Sequence, residues 1–185
     1  MGRRNIYLAG FMGTGKSTVG RELARVMGRK FVDLDLELEF RLGMPIPRIF
    51  EEHGEAWFRE QERQLAMEIV QTANRVVATG GGTIMDPEVF TAFQTTGLLV
   101  CLYTRREDLI QRLERSDRRP LLRGGDIPAK VDRILAERTA VFERIKIRIE
   151  TTELTPMETA RKIADLLNTR QRILDRLQEQ YIDLS

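Results

Sequence analysis

Apolar residues gather in short continuous runs at positions 6–9 (Ile-Tyr-Leu-Ala), 30–32, 76–78, 98–103 and 145–149. Runs of this length without polar alternation predict parallel strands buried on both faces. Between them, Val19, Leu23, Val26 and Met27, and again Leu65, Met67, Ile69 and Val70, recur at helical spacing. Strand and helix alternate along the chain, so the pattern predicts the α/β class. Helix punctuation agrees at Thr155-Pro156-Met157-Glu158, where Thr155 can cap, Pro156 fits the first turn and Glu158 can return a capping hydrogen bond. That predicts a helix over about 156–167. Asp86-Pro87-Glu88 predicts a further helix start ahead of Phe93.

Two regions break the pattern. Residues 114–126, from Glu114-Arg115-Ser116 through Arg118-Arg119-Pro120 to Gly124-Gly125-Asp126, are polar, Arg-rich and bounded by glycine. Such a segment suits a lid over a site, or a solvated surface loop. After about residue 168, Ile173, Leu174, Leu177 and Tyr181 recur at helical spacing among charges, which predicts an added amphipathic helix. The expected organisation is one domain over 1–168, with its lid at about 114–126, and a helical extension over 169–185. A chain of 185 residues fits one core, and 42% hydrophobic with 31% charged residues excludes a wholly disordered chain.

The net charge of +2 hides an uneven choice of base, twenty-five Arg against five Lys. Arg suits planar, bidentate recognition of a phosphate or carboxylate, although compositional bias gives the same count. No basic block interleaves with aromatic residues, so no nucleic-acid partner is expected. Cys101 is the only cysteine and lies inside an apolar run, which marks it as core and rules out an intrachain disulfide. The first residues reach a strand without a long apolar stretch, so no signal peptide or membrane span is expected. The chain is read as a cytoplasmic monomer.

The chemistry concentrates first in Gly10-Phe11-Met12-Gly13-Thr14-Gly15-Lys16-Ser17, a phosphate-binding loop with a strand before it and a helix after. Glycines let backbone N–H groups turn toward phosphates, and the helix adds its positive end. Gly13, Thr14 and Gly15 form the cradle, with Thr18 next on the helix. Lys16 is expected on the β- and γ-phosphates and Ser17 on Mg²⁺. Asp33 and Asp35 follow the second strand with one residue between them. Asp33 suits the magnesium shell, replacing an acid that the third strand lacks at its end. Asp35 suits the orientation or deprotonation of an attacking hydroxyl, and capping of the next helix explains it as well. Gly80-Gly81-Gly82 follows the third strand and offers backbone N–H groups to an anion, or a tight turn. Arg59 and Glu62, three apart, read as an exposed helical ion pair, and His53 reads as a surface residue.

In order along the chain, the loop continuing into Thr18-Val19-Gly20, Asp33-Leu34-Asp35, Gly54-Glu55-Ala56-Trp57-Phe58-Arg59, Gly80-Gly81-Gly82, Arg119-Pro120-Leu121-Leu122 and Glu137-Arg138 resemble the shikimate kinase family. The resemblance spans about residues 5–167. It implies a five-stranded parallel sheet in the order 2-3-1-4-5, flanked by helices. It also implies transfer of the γ-phosphate of ATP to the 3-hydroxyl of shikimate, with Mg²⁺, in aromatic amino acid biosynthesis. By the same resemblance, Arg59 and Arg138 clamp the shikimate carboxylate, Gly80, Gly81 and Gly82 hold ring substituents, and Asp35 aligns the 3-hydroxyl. Arg119 closes on the phosphates from the lid, while Arg112 and Pro156 flank adenine. A kinase for gluconate or a nucleotide, or a nucleotide-binding module without catalysis, would share the loop but not the whole series.

Overall fold

In the computed structural model, residues 4–114 and 126–182 are described. Five strands, β1 (Asn5–Gly10), β2 (Lys30–Asp33), β3 (Arg75–Ala78), β4 (Gly97–Tyr103) and β5 (Ile147–Glu150), form one parallel sheet in the order β2-β3-β1-β4-β5. The helices are α1 (Lys16–Met27), α2 (Leu34–Leu42), α3 (Ile46–Val70), α4 (Pro87–Thr96), α5 (Arg106–Glu114), α6 (Ile127–Glu143) and α7 (Pro156–Ile182). Each apolar run identified in the sequence carries a strand. The fifth begins two residues later than its run, because Ile145 is buried in the turn that closes α6.

The sheet is the middle of three layers, and strand alternation sorts its side chains. Ile6 and Leu8 of β1 join Val76, Val100 and Leu102 beneath Val19 and Leu23 of α1 and Ile163 and Leu167 of α7. Tyr7, Ala9, Val77, Leu99 and Cys101 face the opposite way, into the core made with α2 to α6. There the Tyr7 ring stacks on Phe93 at 4.0 Å, and its hydroxyl meets Thr96 at 3.2 Å. Covering both faces removes any need for polar alternation, which is why the strands read as continuous apolar runs.

Helix starts follow local chemistry. Asp86 accepts from the backbone N–H groups of Glu88 and Val89 at 2.8 and 3.1 Å, fixing the first turn of α4. Thr155 and Glu158 form a reciprocal capping box: Glu158 Oε2 accepts from Thr155 N at 2.8 Å, and Thr155 Oγ1 accepts from Glu158 N at 3.2 Å. The helix that follows does not end near residue 167. It continues to Ile182 as one element, because nothing between 167 and 170 (Leu-Asn-Thr-Arg) interrupts helical geometry as a glycine or proline would.

Because the strands are parallel, their carboxyl ends share one edge, and Gly10, Asp33 and Ala78 all lie there. The order reverses at β1, whose neighbours are β3 on one side and β4 on the other. Ligand sites of open α/β sheets form outside such a switch point.

Cys101 is buried in the core at the centre of β4, and burial pushes its thiol up to about 11. At pH 8 only about one thiol in a thousand is the reactive thiolate. A disulfide-exchange reagent at that pH is therefore expected to leave the folded protein unmodified and to titrate one thiol after unfolding. Rapid reaction of the native chain would contradict this burial.

Candidate active site

The phosphate loop leaves β1 at Gly10 and enters α1 through Gly15, whose φ of 93° lies in the left-handed region, as does the 83° of Gly13. An L side chain is strained there, so glycine is required for the chain to turn its amides inward. Thr14 closes the turn through bonds from its N and Oγ1 to Phe11 O at 3.3 and 2.8 Å. From β5's end, Thr151 Oγ1 donates to Thr14 O at 3.3 Å and ties the loop to the sheet. The Lys16 ammonium donates to Gly10 O and Phe11 O at 2.9 and 3.0 Å, holding it inside the loop's curve.

At the end of β2 the two acids divide their work differently from the capping alternative. Asp33, not Asp35, is the cap of α2: its Oδ1 accepts from Asp35 N at 3.2 Å and Leu36 N at 3.4 Å. The reason is that α2 starts at Leu34, directly after the strand, which leaves Asp33 as the last extended residue. Asp35 is thereby carried on the first turn of α2 and lines the cleft described below.

The glycine triplet is a place of close approach. A Cβ on Gly80 would collide with Glu62 Oε1 and lie 2.7 Å from Asp35 Oδ1 and 2.9 Å from Thr83 Oγ1. One on Gly82 would lie 2.8–3.1 Å from three atoms of the Arg59 guanidinium. Gly81 instead offers its carbonyl, which accepts from Arg138 Nη1 at 2.8 Å.

Arg59 comes from α3 just after that helix is broken at Gly54, where φ is 82°. Its guanidinium donates to Glu62 Oε2 at 2.7 Å and to Glu55 Oε1 at 2.9 Å. The pairing is not the exposed one that three-residue spacing suggests. Glu62 is 2% exposed, because the turn at 80–83 lies over it and Thr83 Oγ1 donates to its Oε1 at 2.6 Å. Burial pulls the Arg59 pKa down, but the charge and hydrogen bond of Glu62, with those of Glu55, outweigh it and leave the group raised. Arg138 on α6 is 8% exposed, and its pKa is lowered, chiefly by burial and then by the charge of Arg59. Arg59 is already matched by Glu62 and Glu55, whereas the bond described for Arg138 goes to a neutral carbonyl, so Arg138 brings a cation that an anionic ligand could match.

One cleft of about 330 Å³ gathers Ser17, Asp33, Asp35, Arg59, Gly81, Gly82 and Arg138, with Ile46, Phe50 and Phe58 as its apolar wall. Ser17 and Asp33 both line it, and capping occupies Oδ1 of Asp33 rather than Oδ2. A hydroxyl and a carboxylate are hard oxygen donors of the kind that suit Mg²⁺. Arg112 and Pro156 do not line this cleft: Arg112 donates to Gly13 O at 3.3 Å on the α5 side of the loop, and Pro156 opens α7. Arg119 and lid residues 115–125 lie outside the described residues. His53 is exposed, stacked on Trp57 at 4.4 Å. Thr83 was missed from the sequence, and Glu62 reads there only as the exposed partner of Arg59. Glu62 did leave a signal, because it falls on the same helical stripe as Phe58, Leu65, Ala66 and Ile69, a buried face where an unpaired carboxylate does not belong.

The sheet order and the loop define a phosphate-loop phosphotransferase, with an acid–arginine cleft beside the loop. The shikimate kinase family model matches residues 12–168. A shikimate kinase of Caldicellulosiruptor bescii is 37% identical over 163 residues, covering 88% of this chain and 95% of the relative. The solved shikimate kinase of Acinetobacter baumannii, in complex with shikimate, superposes with a TM-score of 0.87 at 38% identity, over 90% of this chain and 94% of the other. The chain belongs to the shikimate kinase family. A gluconokinase of Sinorhizobium meliloti, with a TM-score of 0.60 and 15% identity over 94% of this chain and 97% of its own, shares the fold alone. The activity is that of an ATP- and Mg²⁺-dependent kinase acting on shikimate, in aromatic amino acid biosynthesis.

Proposed function

We propose that the cleft beside the loop binds shikimate with its carboxylate on Arg59 and Arg138 and its 3-hydroxyl on Asp35, aligned for attack on the γ-phosphate of ATP. The observation that carries this reading is the lining of one cleft, which brings two guanidinium groups, Arg59 and Arg138, together with Asp35, Ser17 and Asp33. A planar guanidinium can bond both oxygens of a carboxylate, which suits an acid better than a sugar. Gly81 and Gly82, which line the cleft, meet the substrate's ring substituents, while Gly80, which does not line it, lets the turn pack close to Glu62 and Asp35; Phe58 and Phe50 supply an apolar wall for ring carbons.

On the nucleotide side, Gly13, Thr14, Gly15 and Thr18 cradle the phosphates and Lys16 neutralises the transferring group. Ser17 and Asp33 hold Mg²⁺, which supplies charge for the phosphate oxygens. Asp35 accepts the hydroxyl's hydrogen bond and fixes its direction, since a loose phosphoryl-transfer transition state asks for alignment more than for prior deprotonation. Arg119 is proposed to add positive charge at the phosphates, and Arg112 and Pro156 to bound the adenine. The kinase domain is proposed to span 1–168, with 169–185 as an extension.

A cytoplasmic monomer remains the proposed state. Among the described residues no helix is long and apolar enough to cross a membrane. The direct test is a crystal structure with shikimate bound. The carboxylate is expected within hydrogen-bond distance of both Arg59 and Arg138, and a carboxylate seated away from both would overturn the assignment.

A further inference from the structure

We infer that Thr83 is a positioning residue for carboxylate recognition, acting through Glu62 on Arg59. This rests on the reading that Arg59 and Arg138 receive the substrate's carboxylate. Thr83 does not line the cleft; it lies behind it, on the wall of a second hollow of about 510 Å³ that shares Arg59, Glu62, Gly82 and Arg138 with the first. Thr83 is 2% exposed and its hydroxyl donates to Glu62 Oε1 at 2.6 Å, while the other carboxylate oxygen accepts from Arg59 Nη1 at 2.7 Å. Each oxygen of Glu62 thus has its own donor, and a carboxylate anchored at both ends cannot swing. The guanidinium it holds inherits that fixity.

The turn that carries Thr83 also sets the partner cation. Gly81 O accepts from Arg138 Nη1 at 2.8 Å, and the backbone of Gly82 lies against the Arg59 guanidinium. Residues 81–83 therefore touch both halves of the clamp, one directly and one through Glu62. Burial chiefly lowers the pKa of Arg138, and the charge of Arg59 lowers it further, so the two cations repel and their separation depends on what restrains them. If the Thr83 hydroxyl is removed, Glu62 keeps its charge but loses one of its two anchors. Arg59 then has a choice of positions, and the second half of the clamp is no longer set for the carboxylate.

Steady-state kinetics on Thr83→Val, Thr83→Ser and Arg138→Ala test this. Valine keeps the shape and removes the donor, so the KM for shikimate should rise roughly three- to tenfold, the loss of one buried hydrogen bond, with kcat and the KM for ATP within about twofold. Serine should stay within about twofold of the parent in all three, and in a Glu62→Gln background Thr83→Val should add less than about twofold. A parental shikimate KM in Thr83→Val, an equal rise for shikimate and ATP, or a serine variant as impaired as valine would overturn the inference. If valine does not fold, the Thr83→Ala and Thr83→Ser pair reads the same contrast. An unchanged shikimate KM in Arg138→Ala would mean that the clamp reading itself has failed. A raised KM there with a parental Thr83→Val would mean that only the role of Thr83 has.

Discussion

Replacing Asp35 by asparagine is expected to lower kcat by roughly 10²–10⁴-fold while leaving the KM for ATP within about twofold. Asparagine fills the same space on the first turn of α2, and the cap of that helix belongs to Asp33, so the element stays formed. What changes is the charge and the acceptor offered to the reacting hydroxyl. An amide can turn its NH₂ toward that hydroxyl and point it away from phosphorus. The phosphate loop is built from other residues, so nucleotide binding has no reason to move. Rapid-quench or steady-state measurement of both parameters checks this, and an unchanged kcat would remove Asp35 from the proposed chemistry.

Arg138→Ala is expected to raise the KM for shikimate about ten- to a hundredfold, the loss of a charged hydrogen-bonded partner, with little change for ATP. Two effects compete in this variant. Removing one cation relieves its repulsion with Arg59, which favours the protein, and it leaves Gly81 O without that donor, which does not. Neither effect supplies an anion partner, so the loss at the substrate prevails. Arg138→Lys keeps the charge without the planar fork and should fall between the two. Equal changes for shikimate and ATP would argue that α6 had shifted as a whole instead.

Much of the fold was legible because burial on both faces of a parallel sheet leaves an uninterrupted apolar signature, and the five runs carry the five strands. The strand order came from the resemblance, since no local pattern states which strands are neighbours. The site divides along the same line. The phosphate loop is a local motif, contiguous from Gly10 to Ser17 and legible from spacing alone. Glu62 is not, because its burial depends on a turn some twenty residues further on. Three-residue spacing from Arg59 describes an ion pair correctly but says nothing about what covers it. The division between Asp33 and Asp35 was missed for a smaller reason: a helix starting one residue after the strand moves the cap to the first acid. The helix expected over about 156–167 and the amphipathic helix expected after 168 are one element, α7, because nothing at the junction breaks helical geometry.

The central claim is that the cleft beside the phosphate loop takes shikimate as phosphate acceptor. Coupled measurement of ADP release from ATP and Mg²⁺, with shikimate and with gluconate, tests it most directly. ADP release is expected to depend on shikimate, with no stimulation by gluconate; ADP release stimulated by gluconate and indifferent to shikimate would contradict it.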